Sequence, residues 1–147
     1  MTGARDRLEA EVGVEIGALL AGARAVTNAA ASAFIADHPE LKPMSFHVAR
    51  WLHSFGAAQP TEIASGLGLD KGALSRVLLG LKGARLITKR PSPHDGRAFT
   101  VVLTAAGTKL LARSLEGKGA ELKHRLARFE DDELDTLAAL LRRLNEP

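Results

Sequence analysis

Apolar residues recur every three or four positions over the first quarter of the chain, at Leu8, Val12, Ile16, Leu19, Ala23, Val26, Ala30 and Phe34. That period lines them along one face of a long helix. Gly13, Gly17 and Gly22 lie inside it, and each costs up to about 1 kcal/mol relative to alanine in a helix interior. Packing against another surface must therefore hold the helix together, and Ala18, Ala21, Gly22 and Ala25 are small enough for a second helix to approach closely. His38-Pro39 and Glu40-Leu41-Lys42-Pro43 then break the pattern.

Pro43 suits the first turn of a new helix, in which Met44, Val48, Trp51, Leu52 and Phe55 form a core stripe. Phe46, Arg50 and His53 fall on a different face, suited to lining a pocket or an interface. A short helix follows, with Thr61 as its N-cap and Ile63, Ala64 and Leu67 pointing inward. Gly66 and Gly68 allow a sharp turn. Asp70 caps the next helix, and Leu69 and Leu74 occupy the N′ and N4 positions of a hydrophobic staple. Leu74, Val77, Leu78 and Leu81 face inward, which leaves Lys71, Gly72, Ser75, Arg76 and Lys82 outward. Two short helices joined by a glycine-containing turn make a helix-turn-helix, whose second helix projects into the major groove of DNA.

Alternation predicts a hairpin: Ile87-Thr88-Lys89-Arg90 enters, and Phe99, Val101 and Leu103 alternate with Thr100, Val102 and Thr104 on the return. The tip, Pro91 to Arg97, holds two prolines that limit its freedom and an Asp95-Gly96 step for the bend. After Ala105 a helical stretch runs through Leu110, Leu111, Leu115, Leu122, Leu126 and Phe129. Glu130-Asp131-Asp132-Glu133 opens a last helix with its acids at the favourable positive end, and Leu134, Leu137, Leu140, Leu141 and Leu144 give it an apolar face. Such a face could close an intramolecular bundle, but terminal helices this apolar on a small domain point rather to burial against a partner.

Composition narrows the function. The 147 residues suffice for one domain with its own core. Cysteine is absent, which excludes disulfides, thiol redox sensing, Cys-ligated zinc and thiol nucleophiles, and fits a reducing cytoplasm. The charged N-terminus lacks an apolar leader, and no stretch of uncharged apolar residues reaches the roughly 18 needed to span a bilayer, so no membrane partner is expected. No G-x-S-x-G, H-E-x-x-H or phosphate-cradling glycine loop is present, so no enzyme and no cofactor are expected. Net charge is +3, yet Asp70 to Arg97 holds seven basic residues against two acidic ones. The positive charge is concentrated in the element with helix-turn-helix punctuation, the electrostatic footprint of nucleic-acid binding.

The outward residues suit that role one by one. Lys71 can meet a phosphate, and Gly72 removes a side chain that would hold the helix off the DNA. Ser75 can pair with a base edge, while the fork of Arg76 matches guanine O6 and N7 and equally suits a phosphate, the two roles staying open. Lys82, Lys89, Arg90 and His94 extend the set. Arg97 sits where a narrow minor groove, with its concentrated negative potential, could receive it.

The run Asp95-Gly96-Arg97-Ala98-Phe99-Thr100-Val101-Val102-Leu103-Thr104 matches the wing pattern D-x-R-x-x-x-V-x-L-T, with Gly107 following. Together with Thr61-Glu62-Ile63-Ala64 and Leu74-Ser75-Arg76, it makes the chain resemble MarR-family winged-helix transcriptional regulators over essentially its whole length. Two positions depart from the family pattern: Arg85 stands where a glycine usually precedes the wing, and Lys42 where a hydroxyl residue often caps a helix.

The resemblance implies a mainly α fold with a small β-hairpin wing (α+β). Residues 1–147 form a single domain, with a winged helix-turn-helix lobe over 41–104 flanked by dimerisation helices over 5–38 and 105–146. It further implies a homodimer reading a pseudo-palindromic double-stranded operator, with Asp95 and Gly96 structuring the wing. DNA would be released when a small aromatic or phenolic effector binds, and Phe34, His38, Phe46, His47 and His53 are the candidate pocket residues. Two other readings keep the same fold: a metal-responsive regulator using His38, His47 and His53, and a winged-helix protein-interaction module without DNA binding.

Overall fold

The computed structural model describes residues 3–92 and 98–147. Its elements run α1 (Ala4–Ile35), α2 (Met44–Phe55), α3 (Pro60–Leu67), α4 (Lys71–Gly83), β1 (Ile87–Pro91), β2 (Phe99–Leu103), α5 (Ala105–Leu126) and α6 (Asp131–Asn145). The expected mainly helical architecture with one hairpin is present in that order.

The chain divides into two units, Met1–Leu115 and Glu116–Pro147, with the boundary inside α5. In the first unit, Phe34 at the end of α1 meets Phe46 of α2 edge-on, with ring centroids 6.0 Å apart. Around this pair pack Val48, Leu52, Ile63, Leu74, Leu81, Leu86, Val101 and Leu111, all buried. Each of these is an inward residue of its own segment, so one core is assembled from five helices and the hairpin. In the second unit, α6 carries the expected acidic first turn, and the Glu130 N–H donates to Glu133 Oε2 at 2.9 Å across that turn. None of the α6 residues is buried; Leu137, Leu140, Leu141 and Leu144 all face solvent. In the same unit Arg125 donates to Glu121 at 2.8 Å, which holds that carboxylate below its usual range.

Several local expectations are corrected. Phe55 is exposed and leans on Trp51, its ring 4.8 Å away. The α3 cap lies two residues earlier than Thr61: Pro60 takes the first helical position and the Gln59 N–H donates to Glu62 Oε2 at 2.7 Å. A glutamate thus closes the helix start that the sequence assigns to a hydroxyl. Of the two turn glycines only Gly68 adopts a left-handed conformation (φ 64°). Gly66 serves instead as the place where the Trp51 indole lies against the α3 backbone, since a Cβ there would collide with it.

The α1 helix is also more apolar than expected. It contains an 18-residue window of mean hydropathy 1.3, long and apolar enough by length and composition to cross a membrane. Arg24 is the sole charge between Glu15 and Asp37, and alanines interspersed with Leu19, Leu20, Val26, Phe34 and Ile35 supply the hydropathy. Its C-terminal turns, at Ala30, Ala31 and Phe34, are buried in the core, whereas Leu8, Val12, Val14, Leu19 and Leu20 are exposed.

Candidate nucleic-acid interface

The helix that carries the outward cations starts where the sequence indicates. The Asp70 side chain accepts the Ala73 N–H at 2.7 Å, and Leu69 packs against the core beside the buried Leu74. These contacts fix the angle at which α4 leaves the turn and therefore which of its residues face outward. Lys71, Gly72, Ser75, Arg76 and Lys82 are all exposed.

The far end of α4 is closed by a Schellman arrangement, in which the Leu86 N–H returns to the Leu81 carbonyl and the Arg85 N–H to that of Lys82, both at 3.0 Å. Arg85 occupies the left-handed position with φ 60°. The helix thus ends in the usual geometry without the usual glycine. Thr104 braces the join: its hydroxyl donates to the Arg85 carbonyl at 2.8 Å and accepts the Gly107 N–H at 3.1 Å, capping α5. A Cβ at Gly107 would run into the Leu86 carbonyl oxygen, so this glycine is required by close packing.

The hairpin pairs antiparallel in the register Ile87↔Leu103 through Pro91↔Phe99. Its burial is less regular than simple alternation. Val101 and Val102 are both buried and Phe99 is exposed. Val101 exchanges backbone hydrogen bonds with Ala58 (3.2 and 2.8 Å) from the loop before α3, which acts as a third, one-residue strand. Phe99 instead carries Lys89, whose Nζ sits 4.2 Å above the ring. Lys89 and Arg90 are exposed on β1. His94, Asp95, Gly96 and Arg97, expected at the wing tip, lie outside the described residues.

A groove of about 540 Å³ runs between α4 and the hairpin, bordered by Lys71, Ser75, Lys82 and Lys89 and floored by Leu78, Phe99 and Val101. On the opposite flank of α4 a second hollow of about 460 Å³ lies between Arg76 and the start of α2 at Lys42 and Met44. The cations thus flank α4 on both sides and continue onto β1. Among the described residues none of Lys71, Arg76, Lys82, Lys89 and Arg90 pairs with a carboxylate. An outward face of uncompensated cations beside an exposed hydroxyl is what phosphate positioning and base contact require.

The hydrophobic pattern alone does not single out residue 79. Leu79 is 73% exposed on this same face. A helical projection finds it, because its seven-residue spacing from Gly72 brings it to the same side of α4.

Three of the five pocket candidates, Phe34, Phe46 and His47, are joined by ring contacts, and no pocket gathers all five. Phe34 and Phe46 have no exposed surface and serve as core, contrary to the expectation that they line a pocket. His47 packs edge-on against Phe46, ring centroids 5.3 Å apart; partial burial and then the Arg50 charge lower its pKa. His38 Nδ1 lies 3.3 Å from Glu40 Oε1, and His53 is exposed. Neither hollow beside α4 is lined by any of the five. Among the described residues no three His, Asp or Glu side chains gather in a geometry able to hold a metal ion.

Comparison with known proteins decides what this arrangement is. The MarR family model matches residues 40–98, from four residues before α2 to the residue before β2. The multiple antibiotic resistance protein MarR of Salmonella typhimurium is 29% identical over 106 residues, covering 71% of this chain and 74% of that protein. Over its winged helix-turn-helix the chain is similar to the MarR family of transcription regulators. Its fold matches that of a MarR family protein from Bacillus stearothermophilus with a TM-score of 0.76 at 18% identity, covering 95% of this chain and 94% of the other. It also matches a mutant Escherichia coli MarR complexed with operator DNA, with a TM-score of 0.56 at 23% identity over 90% and 95% of the two chains. Arg85, one of the two departures noted in the sequence, has a positive φ that preserves the helix end a glycine would give.

Proposed function

We propose that this protein is a MarR-family, sequence-specific double-stranded DNA-binding repressor that works as a homodimer and releases its operator when a small aromatic or phenolic anion binds. The observation that carries the reading is the outward face of α4, where Lys71, Ser75, Arg76 and Lys82 stand exposed, continued by Lys89 and Arg90 on the hairpin. In this reading Ser75 and Arg76 contact base edges, the lysines contact phosphates, and His94 and Arg97 extend the contact from the wing tip. The complex of a mutant Escherichia coli MarR with operator DNA makes this the natural use of the fold.

The homodimer rests on unpartnered apolar surface: α6 buries none of its leucines, and α1 exposes Leu8, Val12, Leu19 and Leu20. Two such faces on one chain, at its two ends, are an aggregation hazard unless a partner covers them, and a second copy is the simplest self-complementary one. Two α4 helices about a twofold axis would read half-sites roughly 10 base pairs apart. An effector that changes their separation would release the DNA. The half-buried His38 and His47 keep the solvent-facing surface that an effector site needs, and Phe34 and Phe46 do not.

Fluorescence anisotropy on a labelled duplex from the regulator's own upstream region, repeated over a salt series, tests the reading. The logarithm of the binding constant is expected to fall linearly with log salt, with a slope of about 0.9 per phosphate contact. A flat response contradicts it.

A further inference from the structure

We propose that Leu79 is a specificity-determining residue that reads the C5-methyl group of a thymine in the major groove. The inference rests on the DNA-binding reading above and deepens it. Leu79 is the most exposed large apolar side chain of the described residues, at 73%. It stands on the cationic face of α4, in a molecule that otherwise puts the leucines of this helix into the core or against it: Leu74 and Leu81 are buried and Leu78 packs on them.

On one side Leu79 borders the groove together with Ser75 and Lys82; the ridge on which it stands is sparse. Gly72, two turns earlier, and Gly83, one turn later, carry no side chain, so along Gly72, Arg76, Leu79 and Gly83 only the guanidinium and the isobutyl group project. A helix entering a groove with such a ridge puts two chemically opposite probes toward the base edges. A guanidinium finds acceptors on guanine, whereas an isobutyl group finds no hydrogen-bonding partner on any base. The one apolar feature of the major groove is the thymine methyl. Placing the leucine against a cytosine amino group or a guanine carbonyl instead strips water from that group and leaves it unpaired. Leu79 therefore selects by attraction to thymine and by desolvation of the alternatives.

The preferred duplex is first selected from a random pool with the full-length protein. Each thymine is then replaced singly by deoxyuridine, which keeps the pairing and removes only the methyl group. For the wild-type protein one such replacement per half-site is expected to weaken binding about fourfold, the loss of one buried methyl. Leu79→Ala is expected to bind the thymine and uracil duplexes at that position equally, while Leu79→Met keeps most of the discrimination. Because Leu79 is exposed, Leu79→Ala should melt within roughly a degree or two of wild type. If every uracil replacement affects wild type and Leu79→Ala alike, while both still select a duplex, the assignment of Leu79 is overturned and the DNA reading stands. If no duplex is selected and binding does not respond to salt, the DNA reading itself falls, and the assignment with it.

Discussion

The Thr104 hydroxyl donates to the Arg85 carbonyl at 2.8 Å, tying the foot of the hairpin to the end of the helix that precedes it. The same oxygen accepts the Gly107 N–H at 3.1 Å, and the Thr104 N–H donates to the Leu86 carbonyl at 3.0 Å. One residue thus fixes where α4 ends, where β2 ends and where α5 begins. Because the hairpin and α4 both carry the cationic face, their relative position depends on this knot.

Thr104→Val removes the hydroxyl while keeping the shape and leaves the Gly107 N–H without its acceptor. A loss of about 1–3 kcal/mol is expected, or roughly 2–4 °C in Tm for each kcal/mol in a domain of this size. Thermal melts at fixed protein concentration check it, and an unchanged Tm would show that the knot is ornamental.

Arg85 holds φ 60° without being a glycine. Relief of about 1–2 kcal/mol of left-handed strain outweighs the roughly 0.4–1 kcal/mol that glycine costs through the unfolded chain. Arg85→Gly should therefore raise stability slightly, and Arg85→Val should lower it by about 1 kcal/mol or more, since a β-branched residue tolerates this conformation worst. Urea unfolding of the three proteins should rank them glycine, arginine, valine.

Trp51 is the one tryptophan, and its indole rests on the α3 backbone at Gly66. Gly66→Ala must push the ring away, at about 1–3 kcal/mol for overpacking. The emission should move to longer wavelength as the ring is displaced into water, and a spectrum identical to wild type would place the indole elsewhere.

His47 titrates below its ordinary value because partial burial, and then the charge of Arg50, disfavour the protonated ring. The folded protein therefore binds this proton less readily than the unfolded chain. Its contribution is complete above about pH 6.5 and is lost as the pH falls from there through the lowered folded value. Over that window His47→Gln should show a shallower decline of stability than wild type, and parallel curves would contradict the assignment.

Much of this is legible in the chain. The Asp70 cap with its Leu69 and Leu74 staple, the Gly68 turn and the acidic start of α6 are local signals, each decided within one turn of helix. They appear in the structure where the residues put them. What the sequence does not disclose depends on contacts distant along the chain. Phe46 reads as a residue facing away from the α2 core stripe until α1 brings Phe34 against it. Val102 breaks the strand alternation, and Ala58 becomes a third strand only through pairing with the distant Val101. One miss is local: Gln59 takes the cap from Thr61 because Glu62, three residues on, bonds its N–H. Leu79 is absent from the inward set of α4 read from the sequence, and its exposure in the structure is what marks it.

In the proposed complex the outward face of α4 meets the phosphates and bases of a duplex. The most direct measurement compares wild type with Lys71→Ala/Arg76→Ala by anisotropy on the selected duplex over a salt series. Both side chains are exposed and without carboxylate partners among the described residues, so the fold should be unaffected. The double variant is expected to bind more weakly, with a salt slope shallower by about 0.9 for each of the two that is a phosphate contact, and with relaxed sequence preference if Arg76 reads a base. Unchanged affinity, slope and preference in the double variant would contradict it.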